Sequence, residues 1–188
     1  MKKQFNPETD TYEINCSDYY FNPSYVEIPA GCRRLNIYQV DQFVFDRLKI
    51  PFSLEELVLI NGSLNKLIVP EGISYVICDD LGLEEIHLPR TIKTLYCSNN
   101  YLLEITVPKD IEYVDVSNNG MRMFKAEGKL EYITYMNLKG NRIKRIDFDV
   151  GEELAEMEIE VDNPFIKINP NIIAIIKKNQ EELSQKYA

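Results

Sequence analysis

Residues 89–107, PRTIKTLYCSNNYLLEITV, and residues 108–126, PKDIEYVDVSNNGMRMFKA, are consecutive 19-residue blocks that open on proline and carry apolar side chains at the same offsets. The spacing runs back unchanged through Pro70 and Pro51. One residue before each proline stand Ile50, Val69, Leu88 and Val107, and three after stand Leu54, Ile73, Ile92 and Ile111. Six after are Leu57, Val76, Leu95 and Val114; eight after are Leu59, Cys78, Cys97 and Val116. Thirteen after are Leu64, Leu83, Leu102 and Met121, and sixteen after are Leu67, Ile86, Ile105 and Phe124. Six columns of four apolar residues, in a chain that is 45% apolar, are a coincidence on the order of 10⁻⁸. The chain is built of repeats.

A coil of 19 residues cannot cover its own apolar face, so successive coils must stack into a solenoid with one continuous core. The six-after and eight-after residues alternate with polar or variable ones, which is the period of a strand. Stacked coils place these strands in a parallel sheet at about 4.8 Å each, roughly 35 Å in all. The remaining dozen residues leave no room for a full helix, and each proline fixes φ and removes a donor. Extended, polyproline-like segments with single 3₁₀ turns are expected on a convex side, with the sheet concave.

The frame extends outward. Residues 14–21 overlie residues 95–102 without a gap, and Ile28-Pro29 is followed by Cys32, Leu35 and Ile37. The next coil reaches Phe45, Leu48 and Ile50 through three extra residues. Downstream, Ile111, Val114, Val116, Asn119, Met121 and Phe124 recur 22 residues later as Ile133, Met136, Leu138, Asn141, Ile143 and Ile146. A weaker coil follows through Met157, Ile159, Val161 and Phe165. The pattern predicts one domain: a lead-in over 1–11, about eight coils over 12–166, and a capping helix over 167–188. In that helix Asn169 is the N-cap, Pro170 the first helical residue, and Ile172, Ile173, Ile176, Leu183 and Tyr187 the buried face. Tyr19, Tyr20, Phe21 and Tyr25 form an aromatic group expected to cap the other end.

Ile92, Leu95, Cys97, Asn100 and Leu102 fit the strand pattern Leu-x-x-Leu-x-Leu-x-x-Asn-x-Leu, as do the matching residues around Asn119 and Asn141. That pattern resembles the leucine-rich repeats. The short proline-bearing coil is similar to repeats of bacterial effector proteins, and less closely to those of some amoebal and giant-virus proteins. The resemblance covers residues 12–166 and implies an α/β-horseshoe solenoid in which Asn100, Asn119 and Asn141 form a ladder bonding the loop backbone between coils. Gly62 and Leu81 depart from the pattern, and Asn61 and Asp80, one residue earlier, are the expected substitutes.

Composition narrows the function. A net charge of −9 and a pI near 4.8 speak against nucleic acid and against anionic membrane surfaces. The start, Met1 to Pro7, lacks the apolar core of a secretory signal, and no 18-residue apolar run could span a bilayer. A cytoplasmic protein is expected, with leaderless export into a host cell left open. Cys16, Cys78 and Cys97 share the eight-after column and Cys32 the three-after column, so all four read as buried free thiols in a reducing compartment. His87 is the single histidine and has no fixed partner, so neither a triad nor a metal cluster is expected. No phosphate-binding glycine loop occurs. No enzyme activity, cofactor or metal is expected.

The residues five, seven and nine after each proline should point outward from the sheet. Among them Tyr38, Val58, Ile60, Tyr75, Ile77, Tyr96, Tyr113 and Tyr135 are apolar or aromatic where solvent demands neither. An apolar patch with a polar rim marks an interaction site, and tyrosine is a frequent hot-spot residue. The expected function is non-enzymatic binding of another protein by a monomer on this face, in the manner the resemblance implies for a host-interacting effector or viral accessory protein. Carbohydrate or small-ligand recognition by the tyrosines, and self-assembly into a structural protein, are the alternatives.

Overall fold

The computed structural model describes residues 3–17, 21–146, 148–151, 157–162 and 166–174. In chain order its strands are β1 (Lys3–Asn6), β2 (Thr11–Asn15), β3 (Arg34–Tyr38), β4 (Glu56–Ile60), β5 (Lys66–Ile68), β6 (Tyr75–Ile77), β7 (Glu85–His87) and β8 (Thr94–Tyr96). There follow β9 (Glu104–Pro108), β10 (Tyr113–Asp115), β11 (Met123–Glu127), β12 (Tyr135–Asn137), β13 (Arg145–Ile146), β14 (Glu158–Glu160) and β15 (Lys167–Ile168). One short helix, α1 (Gln42–Phe45), lies between β3 and β4. The architecture is a parallel β-solenoid. Its main sheet has the order β1-β2-β3-β4-β6-β8-β10-β12-β14, and its eight parallel strands, β2 to β14, delimit seven turns.

The register follows the repeat: Leu57, Val76, Leu95, Val114, Met136 and Ile159 are cross-strand partners in sequence. The first five are fully buried, as are Leu59, Cys78, Cys97 and Val116 one pleat further along. Each such aliphatic side chain contributes about 1.5–3 kcal/mol by leaving water. The proline column has a turn of its own. The N–H of the residue three after donates to the proline carbonyl, from Leu54 to Pro51 at 3.1 Å, from Ile92 to Pro89 at 3.3 Å and from Ile111 to Pro108 at 3.3 Å. This turn delivers the chain into the strand, and the absent proline N–H is not missed there.

At the other end of each strand one residue takes the left-handed conformation: Gln39, Asn61, Asp80, Asn99, Asn118 and Gly140, with φ between 53° and 68°. Asn and Asp tolerate that region better than other non-glycine residues. Asn61 and Asp80 are therefore not substitute ladder amides, contrary to expectation. They occupy the turn position that Asn99 and Asn118 fill beside the true ladder residues.

The return segments are extended, as expected, but they also pair. β5 with β7, β9 with β11 and β13 with β15 form three separate two-stranded parallel ribbons opposite the main sheet. The three extra residues of the coil before Pro51 are taken up by α1, whose N-cap Asp41 accepts the Val44 N–H at 2.8 Å. A 3₁₀ turn spans Pro23–Tyr25.

Both ends differ from expectation. Residues 1–11 are more than a lead-in, because β1 pairs antiparallel with β2 and closes the first edge of the sheet. Lys167 and Ile168 belong to β15, so the terminal helix starts at residue 170 and is described through 174. Asn169 caps it, accepting the Asn171 N–H at 3.0 Å, and Ile172 is buried. Ile176, Leu183, Tyr187, Phe165, Tyr19 and Tyr20 lie outside the described residues. Of the remaining N-terminal aromatics, Phe21 packs partly against the core and Tyr25 is exposed. Among the described residues no helix is long and apolar enough to cross a membrane.

Candidate functional site

The strand alternation that buries Leu95 and Cys97 turns Thr94 and Tyr96 to the outer face, and likewise along every strand of the main sheet. Tyr113 and Tyr135 are direct cross-strand partners, and their rings stack with centroids 4.6 Å apart and planes 15° apart. β8 carries Thr94 at the corresponding position, so the aromatic row steps sideways there onto Tyr96. The Tyr96 ring lies diagonally against Tyr113 at 4.9 Å and against Tyr75 at 6.0 Å. Four tyrosines on four successive strands thus form one unbroken ribbon, each contact worth about 0.5–1.5 kcal/mol beyond area burial. Mutual cover raises the hydroxyl pKa of Tyr75, Tyr113 and Tyr135; for Tyr113 burial acts first and a hydrogen bond with Tyr96 second.

Ile77 lies beside the ribbon and is half-buried. Tyr38 and Ile60 are cross-strand partners at the ends of β3 and β4, away from the ribbon, and are also half-buried. Val58 departs from the expected face: it is only 4% exposed. It is not part of the core cluster; its short side chain stands on the outer face between those of Asn36 and Ile77, and they cover it. Val58 is therefore not a contact residue.

A polar rim borders the ribbon. Asp115 accepts the Ser117 N–H at 2.9 Å, the Ser117 hydroxyl at 2.7 Å and the Asn137 amide at 3.0 Å. Asp79 accepts the Ser98 N–H, yet burial holds its pKa above the usual carboxylate range. Lys139 pairs with Glu160 at 2.7 Å.

Toward β1 the same face becomes a charged cleft of about 650 Å³, lined by Glu13, Arg34, Asn36 and Glu56 and walled by the β1–β2 turn. Arg34 pairs with Glu56 at 3.0 Å, and the Asn36 amide donates to Glu13 at 3.3 Å. Sequence reasoning passed over this cleft, although the five-after column signals it by changing from Glu13, Arg34 and Glu56 to Tyr75. The chain matches no family model, no curated protein and no solved structure.

The asparagines under this face are backbone clamps. Asn100 Oδ1 accepts the Leu81 and Leu83 N–H groups at 3.1 and 2.9 Å, while its amide donates to Cys78 O at 2.9 Å and Ser98 O at 3.0 Å. Asn119 accepts from Leu102 N–H at 3.0 Å and donates to Cys97 O at 3.0 Å; Asn141 accepts from Met121 N–H at 3.1 Å and donates to Val116 O at 2.9 Å. Where Gly62 stands instead, the backbone closes on itself: the Ser63 N–H donates to Val40 O at 2.8 Å. A Cβ at Gly62 would come within 2.7 Å of that same oxygen.

Cys32, Cys78 and Cys97 are buried free thiols, whereas Cys16 is only half-buried because it lies at the thin first coil. Burial, then Asp41, pushes the Cys16 thiol up to about 11; burial, then Cys97, pushes Cys78 well above its ordinary value. His87 is exposed and paired with Glu85. Among the described residues no group of three or more His, Cys, Asp or Glu side chains is placed to hold a metal ion.

Proposed function

We propose that the chain is a non-enzymatic binding protein of leucine-rich-repeat type, which engages another protein on the outer, concave face of its main sheet. The observation that carries this reading is the ribbon of Tyr75, Tyr96, Tyr113 and Tyr135 in unbroken ring contact on a solvent-facing sheet. Strand propensity accounts for single tyrosines, but it gives no reason for the row to shift columns at Thr94 and remain continuous. Ile77 widens the patch, the Asp79–Asp115 side supplies a polar rim, and the charged cleft extends the face toward β1. The clamping asparagines support the repeat type, each bonding backbone of neighbouring coils. The carbohydrate alternative is weaker, since an aromatic platform should stand beside convergent amides and carboxylates. Here Asn36, Glu13 and Glu56 line a cleft that contains no aromatic residue.

The chain contains no tryptophan, so its intrinsic emission comes from tyrosine and reports directly on the ribbon. Immobilised wild-type protein and a Tyr75→Ser/Tyr96→Ser/Tyr113→Ser variant are compared for partner capture. The captured protein is then titrated while tyrosine emission is followed. Truncated aromatic hot spots cost about 2 kcal/mol or more each, so affinity should fall well over a hundredfold with the melting curve nearly unchanged. Equal capture by the variant refutes the assignment of this face.

A further inference from the structure

We propose that a groove on the opposite side of the solenoid, between β11 and β13, binds an acidic peptide in extended form by adding it as a strand to β11. The groove encloses about 1040 Å³, and its physical origin is the 22-residue coil after Pro108, which draws the return segments apart. Backbone contact between the two segments survives only at the groove's ends. The Arg142 N–H donates to Met121 O at 2.8 Å, and the Leu130 N–H donates to Asp149 O at 2.8 Å. Between those points β11 is paired to β9 on one flank, β13 spends its bonds on β15, and among the described residues no backbone hydrogen bond joins β11 to β13. A five-residue edge with open donors and acceptors is a template for an extended chain.

Charge selects the occupant. Arg122, Arg142 and Lys144 are exposed in this groove and form no ion pair among the described residues. Elsewhere in this acidic protein Arg33, Arg34, Lys66, Lys93 and Lys139 are each matched with a carboxylate. Unmatched cations beside an open edge favour a ligand with carboxylates at intervals along it. Glu127 and Asp149 also border the groove, so the ligand's acids belong opposite the three cations rather than along its whole length. The floor distinguishes a peptide from a nucleic acid. Phe124 and Phe148 pack against each other at 5.8 Å and are only 5% and 7% exposed, so neither ring offers a face on which a base could stack. They form a smooth apolar bed for alternate side chains of a strand.

The test uses the full chain and a fluorescein-labelled ten-residue peptide of alternating Glu and Val, followed by anisotropy at low ionic strength. Saturable binding is expected. Arg122→Glu with Lys144→Glu should weaken it at least tenfold without shifting the melting curve, because both side chains are exposed; about 0.5 M salt should weaken it similarly. A peptide of alternating Glu and Pro, equal in charge but without strand donors, should bind at least tenfold more weakly. The Tyr75→Ser/Tyr96→Ser/Tyr113→Ser variant should bind the Glu–Val peptide as wild type does. The proposal is overturned if the Glu–Val peptide does not bind, if the charge-reversed variant binds it equally, or if the Glu–Pro peptide matches it. Tighter binding of a ten-nucleotide oligothymidine, lost in the charge-reversed variant, overturns it in favour of nucleic acid.

Discussion

Asn99 and Asn100 are adjacent and chemically identical, yet the structure gives them different work, and exchanging each for alanine should separate the two roles. Asn100 is 3% exposed and its side-chain oxygen is the acceptor for two backbone N–H groups, Leu81 at 3.1 Å and Leu83 at 2.9 Å. Asn100→Ala strands both donors in the interior, together with the Cys78 carbonyl that the amide reaches at 2.9 Å. A buried group left unpaired costs about 1–3 kcal/mol, so two stranded donors with partial relaxation should cost about 3–5 kcal/mol. Asn99 holds φ at 55° and donates weakly to exposed neighbours, so Asn99→Ala should cost only the left-handed penalty, about 1–2 kcal/mol. Asn99→Gly should recover that loss. Urea unfolding followed by circular dichroism reads the difference: with a slope of about 2 kcal/mol per molar, Asn100→Ala should lower the midpoint by about 1.5–2.5 M and Asn99→Ala by less than about 1 M. Equal midpoints for the two alanine variants would refute the clamp.

Leu95→Ala should cost about 2–5 kcal/mol, since Leu95 is fully buried in a central strand, with Val114→Ala at the lower end of that range by the same assay. In thiol counting near pH 8, Cys32, Cys78 and Cys97 should be inert in the native state and all four should react after denaturation; Cys16 should react slowly, accelerating as pH rises toward about 11. Fewer than four free thiols in denatured, unreduced protein would reveal a disulfide. The hydroxyls of Tyr12, Tyr75, Tyr113 and Tyr135 titrate above the ordinary tyrosine value of 10.0, so phenolate absorbance should develop in two phases with these four in the later one. Because the unfolded chain loses those protons first, stability should be intact below pH about 10 and fall as pH climbs from there toward the folded values.

The architecture was largely legible because its signal is local: a proline turn, two inward residues and a left-handed asparagine recur at one interval. What escaped the sequence depended on neighbours several coils away. Val58 alternates as an outward residue should, and only the side chains flanking it decide that it is covered. The role of Asn61 and Asp80 was misread because the Asn-Asn pairs at 99–100 and 118–119 combine a turn residue and a clamp, and a lone Asn or Asp does not say which it is. The pairing of return segments into ribbons was hidden because Glu85–His87 shows no apolar alternation; its strand character comes from β5 beside it. The tyrosines were found by column, but the continuity of the ribbon rests on a diagonal contact that columns do not display. The basic groove left a trace in Arg142, Lys144 and Arg145, close-set in an acidic chain, yet Arg122 joins them only once the solenoid has turned.

The proline turns that open each coil make the molecule a ruler with one graduation. Because Pro51, Pro70, Pro89 and Pro108 enter equivalent strands, a whole coil can be gained or lost between them with each exposed end meeting a surface like the one it left. Sheet length then changes by one strand spacing, about 4.8 Å, and by no smaller amount. A partner spanning the tyrosine ribbon would meet its cognate rings or miss them by a full step. In such a scaffold, reach is inherited in discrete units while the chemistry of each rung stays free to vary.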